Sequence, residues 1–177
     1  MAKVLLIIAP ENFRDEEYFE PKEVLEAARH EVITTSKTLR AISAIEKKEV
    51  EVDVLFEELF TADGTSKIED YDAIAFIGGG GAQTYIDDKR AHALAWDTYN
   101  SRKIVAAICL APVILAKAGL LTGKRSTVWS GAKQDLCDGN CIYQSDDVVI
   151  DGRIITANGP HAATEFGQAI AEKLSQN

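Results

Sequence analysis

The sequence places one cysteine in a setting that suits nucleophilic chemistry. Cys109 follows a predicted strand over 103–108 and precedes a segment of helical composition. A nucleophile on a sharp strand-to-helix turn needs small residues two positions before it and two after it, and Ala107 and Ala111 meet this requirement. The partial positive charge of the first helical N–H groups would lower the pKa of such a thiol. The pattern predicts a reactive thiolate; the alternative is a small buried side chain at a helix start.

A glycine run could supply hydrogen-bond donors at the same edge of a sheet. Gly78 to Gly81 follow the apolar run 71–77. Glycines at that position let backbone N–H groups converge on an anion or a developing oxyanion, because no Cβ blocks the approach. The spacing matches neither G-x-x-x-x-G-K-[ST] nor G-x-G-x-x-G, which argues against a nucleotide site. The alternative is a turn that only reverses the chain.

Three acidic residues, Asp15, Glu16 and Glu17, begin the first predicted helix, beside the end of the first predicted strand. Two of them are expected to complement the helix dipole. One could turn inward towards the thiol. Burial and the like charge of a thiolate would raise the pKa of that carboxyl, so that it would stay protonated and donate a hydrogen bond.

The remaining histidines and cysteines are weaker candidates. His161 follows a predicted strand and precedes the last predicted helix, so it could face the same edge as the thiol, whereas His30 and His92 are expected to be exposed. Cys137 and Cys141 have the spacing C-x₃-C. They could form a local disulfide or a weak metal pair, but zinc would need two further ligands that the nearby sequence does not offer. Two incidental loop thiols are the favoured interpretation.

Strand-like and helix-like segments alternate along the chain, which predicts βαβ units around a mostly parallel sheet. Strands are predicted over 3–9, 31–36, 71–77 and 103–108, and helices over 16–29, 89–100, 110–118 and 162–174. Hairpins are predicted over 39–55, around a turn at 46–48, and over 147–157, with a type I′ turn at Asp151-Gly152. The stretch 125–144 is expected to hold a short strand, a short helix and a loop.

Length and charge restrict the classes of function. The chain has 177 residues, which fits one domain over 1–177, and its formal net charge of -9 opposes binding to nucleic acid or to an anionic membrane. The apolar runs are too short to cross a bilayer, and no signal-peptide pattern is present, so we expect a soluble cytoplasmic protein. No cofactor or metal motif is found, and a small-molecule substrate is expected.

Together these residues resemble the ThiJ/PfpI superfamily, a class I glutamine amidotransferase-like group that includes PfpI-type intracellular proteases and deglycases. The likeness is carried by four blocks: 3–10 with Phe13-Arg-Asp-Glu-Glu17 and Pro21; 73–80; 106–112; and 151–160 with Glu165-Phe166. The resemblance implies an α/β fold, a flavodoxin-like three-layer α/β/α sandwich. It also implies a homodimer or a larger homo-oligomer.

Carried onto this chain, the resemblance makes Cys109 the nucleophile and Glu17 its protonated partner. The backbone N–H groups of Gly80 and Leu110 become the oxyanion donors. The resemblance also makes Gly79, Trp129 and His161 candidates for the pocket wall.

The sequence departs from the family pattern at two positions. Leu110 stands where protease-type members have a histidine, which disfavours peptidase activity, and Trp129 stands near the place of a histidine used by deglycase and glyoxalase members. Two functions are therefore expected. One is a cysteine-dependent enzyme, of glyoxalase, deglycase or hydrolase type, that acts on small reactive carbonyl or acyl compounds. The other is a non-catalytic oxidative-stress sensor or chaperone that uses oxidation of Cys109.

Overall fold

A computed structural model describes residues 1–176 and shows twelve strands and six α-helices in that range. The strands are β1 Lys3–Ile7, β2 Glu11–Phe13, β3 Glu31–Ser36, β4 Arg40–Ser43, β5 Glu49–Glu51, β6 Val54–Leu55, β7 Ala73–Phe76, β8 Ile104–Ile108, β9 Arg125–Ser126, β10 Ile142–Tyr143, β11 Val148–Asp151 and β12 Ile154–Ala157. The helices are α1 Asp15–Ala27, α2 Gln83–Ile86, α3 Lys89–Asn100, α4 Pro112–Lys117, α5 Lys133–Asp138 and α6 Ala163–Ser175.

Seven strands form the central sheet, in the order β11-β12-β8-β7-β1-β3-β6. All neighbours pair in parallel except β11, which runs antiparallel to β12. Strands β1, β7 and β8 lie inside the sheet, and their apolar residues are buried on both faces, as expected for a parallel sheet covered by helices. Their carboxyl ends meet at one edge, which is where open α/β sheets place their ligands.

Helices cover both faces of the sheet and complete a three-layer sandwich. One core cluster includes residues of α3 and α4, and the other includes residues of α1 and α6. The α1–α6 contact is close, because a Cβ on Gly167 would lie 2.8 Å from the Pro21 Cα. The predicted α/β sandwich is confirmed. No helix of the described residues 1–176 combines the length and the apolar character that a membrane crossing requires.

The first predicted hairpin is confirmed only in part. Strands β4 and β5 pair antiparallel, and β2, which the sequence pattern did not predict, joins β4 in a second sheet. Strand β6, however, belongs to the central sheet, where it pairs with β3. Asp53 explains the switch: its N–H donates to the Thr34 carbonyl, and its carboxylate accepts the Thr34 N–H at 2.7 Å. These bonds fasten the chain to β3 just before β6.

The prediction of a type I′ turn at Asp151-Gly152 is wrong. Asp151 pairs with Ile154, so the loop residues are Gly152 and Arg153. Gly152 has a φ of 63°, whereas Arg153 is not among the residues with positive φ. A type II′ turn has a positive φ only at its first central position, which fits glycine at 152.

The expected exposure of two histidines is also wrong. His92 is only 8% exposed, and its Nε2 lies 2.7 Å from the Ile86 carbonyl oxygen. His30 is half-buried, and its Nδ1 accepts the Ala2 N–H at 3.2 Å. The partners are backbone groups of residues outside α3 for His92 and 28 positions away for His30, which local sequence patterns do not reveal.

Asp15 connects the first turn of α1 to the β4–β5 hairpin. The buried carboxylate accepts the N–H groups of Ile45 at 2.8 Å and Glu46 at 3.2 Å. Burial opposes its ionisation, but hydrogen bonds from the Ser43 hydroxyl and from these two N–H groups lower its pKa below the ordinary value.

Replacing Asp15 by Ala should therefore destabilise the protein by about 1–3 kcal/mol, because the hydrogen bonds between its buried carboxylate and the hairpin N–H groups are lost. Urea unfolding monitored by circular dichroism measures the change. Asp70→Ala is the matched control, since Asp70 is an exposed aspartate. Equal stabilities for the two variants would contradict the structural role of Asp15.

Candidate active site

Cys109 occupies the sharp turn that its neighbours predict. It follows β8 directly and has a φ of 63°, a conformation that is strained for a side chain with a Cβ. Its N–H donates to the Ala157 carbonyl at 2.8 Å, and its carbonyl accepts the Trp129 N–H at 2.8 Å. The backbone is therefore fixed on both sides, and the turn presents the sulfur at the carboxyl edge of the sheet.

Glu17 is the acidic residue that turns inward from α1. Its side chain is 0% exposed. The carboxyl meets the thiol through a gap that Gly78 leaves open. A Cβ on Gly78 would collide with Glu17 Oε2 and would lie 2.6 Å from the Ile108 carbonyl oxygen and 2.7 Å from the Cys109 Cβ. The absence of a side chain at 78 is thus what lets the carboxyl and the cysteine approach each other.

The environment of Glu17 favours its neutral form. Neither carboxyl oxygen has a hydrogen-bond partner of good geometry, and the Cys109 thiol and the Gly78 N–H are the hydrogen-bonding groups that act on it. Burial raises its pKa to about 7, and the effects of these groups and of Arg14 oppose that rise without cancelling it. Glu17 is therefore a carboxyl that can hold a proton near neutral pH.

Burial also raises the pKa of the Cys109 thiol, and the negative charge of Glu17 raises it further while that carboxyl is ionised. The N–H groups of Gly79 and Leu110 act in the opposite direction. The lowered pKa expected from a helix start is not found, because α4 begins only at Pro112 and the sulfur is buried beside a carboxyl. Since the two groups face each other, the ionisation near pH 7 belongs to the pair.

The glycine run folds back against the segment that leads into α1. Gly79 has a φ of 90°, and a Cβ there would lie 2.5 Å from the Arg14 nitrogen and from the Asn12 carbonyl oxygen. Gly80 is exposed and begins a short 3₁₀ turn. Within the glycine run, it is the Gly79 N–H that acts on the Cys109 sulfur. Gly79 comes one residue before Gly80, the glycine expected as an oxyanion donor.

Arg14 is a residue of this site that sequence reasoning missed. Its N–H donates to the Gly78 carbonyl at 3.2 Å, and its guanidinium binds Glu16 through Nε at 2.7 Å and Nη2 at 3.1 Å. The three acids at the start of α1 therefore have different roles: one holds the hairpin, one holds Arg14, and one faces the thiol. An arginine directly before three acids was the available signal.

A family model described as the DJ-1/PfpI family matches residues 2–173. The chain belongs to the DJ-1/PfpI family. The ThiJ/PfpI resemblance drawn from the sequence is therefore confirmed.

Relatives of this DJ-1/PfpI chain cover nearly all of it. A protein of Methanocaldococcus jannaschii is 36% identical over 179 residues, which span 99% of this chain and 84% of the relative. A deglycase of Pyrococcus abyssi is 30% identical over 156 residues, which span 88% and 90%. The crystal structure of a ThiJ/PfpI domain protein from Brachyspira murdochii has a TM-score of 0.90 and 33% identity, with coverage of 99% of this chain and 97% of that one.

The two positions where this DJ-1/PfpI chain departs from the pattern lie beside the cysteine. Leu110 is half-buried and lines a cavity of about 360 Å³ together with Ile86 and Val113. Trp129 touches Cys109 through its backbone, while its indole is 49% exposed and lies over Gly131. Neither side chain can accept a proton from a substrate.

His161 follows β12 at the same edge of the sheet, and its exposed ring contacts Asp147. Its side chain is 62% exposed, and its Nε2 lies 3.1 Å from Asp147 Oδ1. It lines a separate cavity with Val148 and Thr164. It is not among the main groups that act on Cys109, so its assignment to the pocket wall stays a prediction.

Cys137 and Cys141 are free thiols, so no disulfide joins them. Cys137 is exposed in α5, and Cys141 is half-buried beyond the end of that helix. Within residues 1–176, no group of three or more His, Cys, Asp or Glu side chains has the geometry of a metal site.

Replacing Glu17 by Gln should flatten the pH dependence of stability. The pKa of Glu17 is raised to about 7 from an ordinary 4.5, so between these values the folded protein binds more protons than the unfolded chain. The free energy of unfolding of the wild type should therefore fall by up to about 3 kcal/mol, relative to Glu17→Gln, as the pH rises through this window. Urea unfolding at a series of pH values measures the difference.

Glu23→Gln is the control for this experiment, because Glu23 is exposed on the same helix. It should follow the wild type across the pH range. A Glu17→Gln profile that runs parallel to the wild type would show that the carboxyl is not held neutral by the fold.

Proposed function

We propose that this chain is a cysteine-dependent enzyme that acts on small reactive carbonyl or acyl compounds. One observation carries the proposal: Cys109 has a strained, left-handed backbone at the carboxyl edge of the sheet, and the fully buried carboxyl of Glu17 lies beside it. A structure that keeps both a strained residue and a buried acid at one point gains no stability from either, which favours a functional role. The relative from Pyrococcus abyssi is named a deglycase, which supports the carbonyl class.

When the pair has lost one proton, the negative charge is better stabilised on sulfur than on the carboxyl. The sulfur lies near two backbone N–H groups, those of Gly79 and Leu110. The Glu17 oxygens are buried without a well-aligned donor. A buried charge needs hydrogen bonds, so the state with a thiolate and a neutral Glu17 is favoured over its alternative.

The thiolate then supplies the nucleophile and Glu17 the proton. Sulfur attacks the aldehyde carbon, an S–C bond forms, and the carbonyl π electrons move to oxygen. The backbone N–H groups of Gly80 and Leu110 are the proposed donors to this oxyanion, and the Glu17 proton completes a hemithioacetal. With methylglyoxal, the carboxylate left on Glu17 then takes the proton of the hemithioacetal carbon and returns it to the neighbouring carbon, and water hydrolyses the resulting thioester to lactate and the free thiol. With an acyl compound, the same attack expels the leaving group and leaves a thioester that water hydrolyses. A cavity of about 360 Å³ is bordered by Leu110, the residue after Cys109.

A second candidate function is a peroxide-responsive thiol without turnover. It is favoured by the surroundings of Cys109, where Leu110 and Trp129 offer no base and His161 is bound to Asp147. The thiolate would attack a peroxide, forming an S–O bond and breaking the O–O bond, with release of water or hydroxide. Glu17 would donate a hydrogen bond to the oxidised sulfur.

Methylglyoxal and hydrogen peroxide, given separately to the wild type and to Cys109→Ser, distinguish the two functions. If the chain is the proposed enzyme, the wild type should form lactate and Cys109→Ser should form none above background. Chromatography measures the lactate. Cys137→Ser removes an exposed thiol by the same substitution and should behave as the wild type. Oxygen addition at Cys109 by intact mass, without any lactate, would support the sensor. A Cys109 that reacts with neither reagent would contradict both functions.

The role of Glu17 as a proton donor predicts different effects for two substitutions. Glu17→Gln keeps a hydrogen-bond donor and should leave the thiol titration closer to that of the wild type than Glu17→Leu does. Thiolate absorbance near 240 nm measures the titration. If both variants titrate as the wild type does, Glu17 is not the partner of Cys109.

A further inference from the structure

The backbone of Arg14 forms part of the wall of the thiol site. Its N–H donates to the Gly78 carbonyl, and the adjoining Gly79 packs so closely against it that a Cβ would lie 2.5 Å from the Arg14 nitrogen. Gly78 borders both Glu17 Oε2 and the Cys109 Cβ, and the Gly79 N–H acts on the sulfur. The Arg14 side chain therefore starts from a backbone that is held against both members of the Cys109–Glu17 pair.

Glu16 fixes the position of the guanidinium. Two roughly parallel contacts, at 2.7 Å and 3.1 Å, join the two side chains, and the Arg14 side chain is only 34% exposed. A two-point contact of this kind sets the orientation as well as the distance of the charge. The positive charge of Arg14 acts on both Glu17 and Cys109 from this fixed place.

The Cys109–Glu17 pair needs such a charge. Once one proton has left, a single negative charge stays in a buried site, and its stability depends on nearby donors and counter-charges. Glu16, which is negative, and Arg14, which is positive, are among the groups that act most strongly on Glu17, and Asp87 and Asp135 line the cavity beside Leu110. Arg14 is the cation in this set, in a chain whose net charge is -9.

We propose that Arg14, held in place by Glu16, is a positioning residue that provides the counter-charge for the Cys109 thiolate. The inference uses the thiolate of the proposed function, but it does not require turnover of any substrate. Because Glu16 offsets part of the charge, the effect is moderate. Removing the charge should raise the apparent pKa of the thiol by about 0.5–1 unit and slow its alkylation at neutral pH about 3- to 10-fold.

The test is the rate of Cys109 alkylation by iodoacetamide as a function of pH, followed by peptide mass spectrometry. Iodoacetamide is neutral, so its rate reports the thiolate and not the binding of a charged reagent. Arg14→Gln should shift the pH profile to higher pH, and Arg14→Lys, which keeps the charge but loses the two-point contact, should recover part of the shift. Arg40→Gln is the control, because Arg40 forms an exposed ion pair with Glu49 on the hairpin and its loss changes the net charge equally.

The outcomes separate this inference from the proposed function. A profile for Arg14→Gln that coincides with those of the wild type and Arg40→Gln would overturn the role of Arg14, even if methylglyoxal is converted. If the Arg14→Gln profile is shifted but the wild type converts no carbonyl compound, the role of Arg14 is supported and the enzymatic function is overturned. If thermal melting shows that Arg14→Gln is misfolded, Arg14→Met, a neutral side chain of similar length, takes its place, and an Arg14→Met profile that coincides with the wild type would overturn the role.

Discussion

The contact between a buried carboxyl and a buried thiol is the constraint on which the rest of this structure depends. Glu17 and Cys109 come from distant parts of the chain, and they meet only because Gly78 carries no side chain between them. Burial disfavours the charged form of both groups, so a charge on either one costs free energy there. The surrounding fold has to hold the two groups together against this cost.

The sheet provides that support. Strands β1, β7 and β8 are neighbours, and the segments that follow them bring together the start of α1, the glycine turn and the cysteine. The cysteine itself is fixed through two further segments, at Ala157 and Trp129. Hydrogen bonds therefore join five separate parts of the chain at one edge, and a shift in any strand register would separate the pair.

The local patterns that the sequence predicted well are those decided within a few residues. Helix α3 and strand β3 have the predicted bounds, because capping and hydrophobic periodicity are local properties. Strand β6 and His92 were mispredicted, because their partners, strand β3 and the Ile86 carbonyl, come from other elements. Of the three acids at the start of α1, local chemistry identified the possibility of an inward carboxyl, and the family pattern indicated which one it is.

By itself, the sequence determined the class of fold and the sharp turn at Cys109, because alternating strands and helices and the small residues Ala107 and Ala111 are local signals. Tertiary structure alone decided the acid–base state of the site. A pKa depends on burial and on charges that arrive from elsewhere in the chain, so the coupled ionisation of Cys109 and Glu17, the place of Arg14 and the pairing of His161 with Asp147 follow only from the folded arrangement.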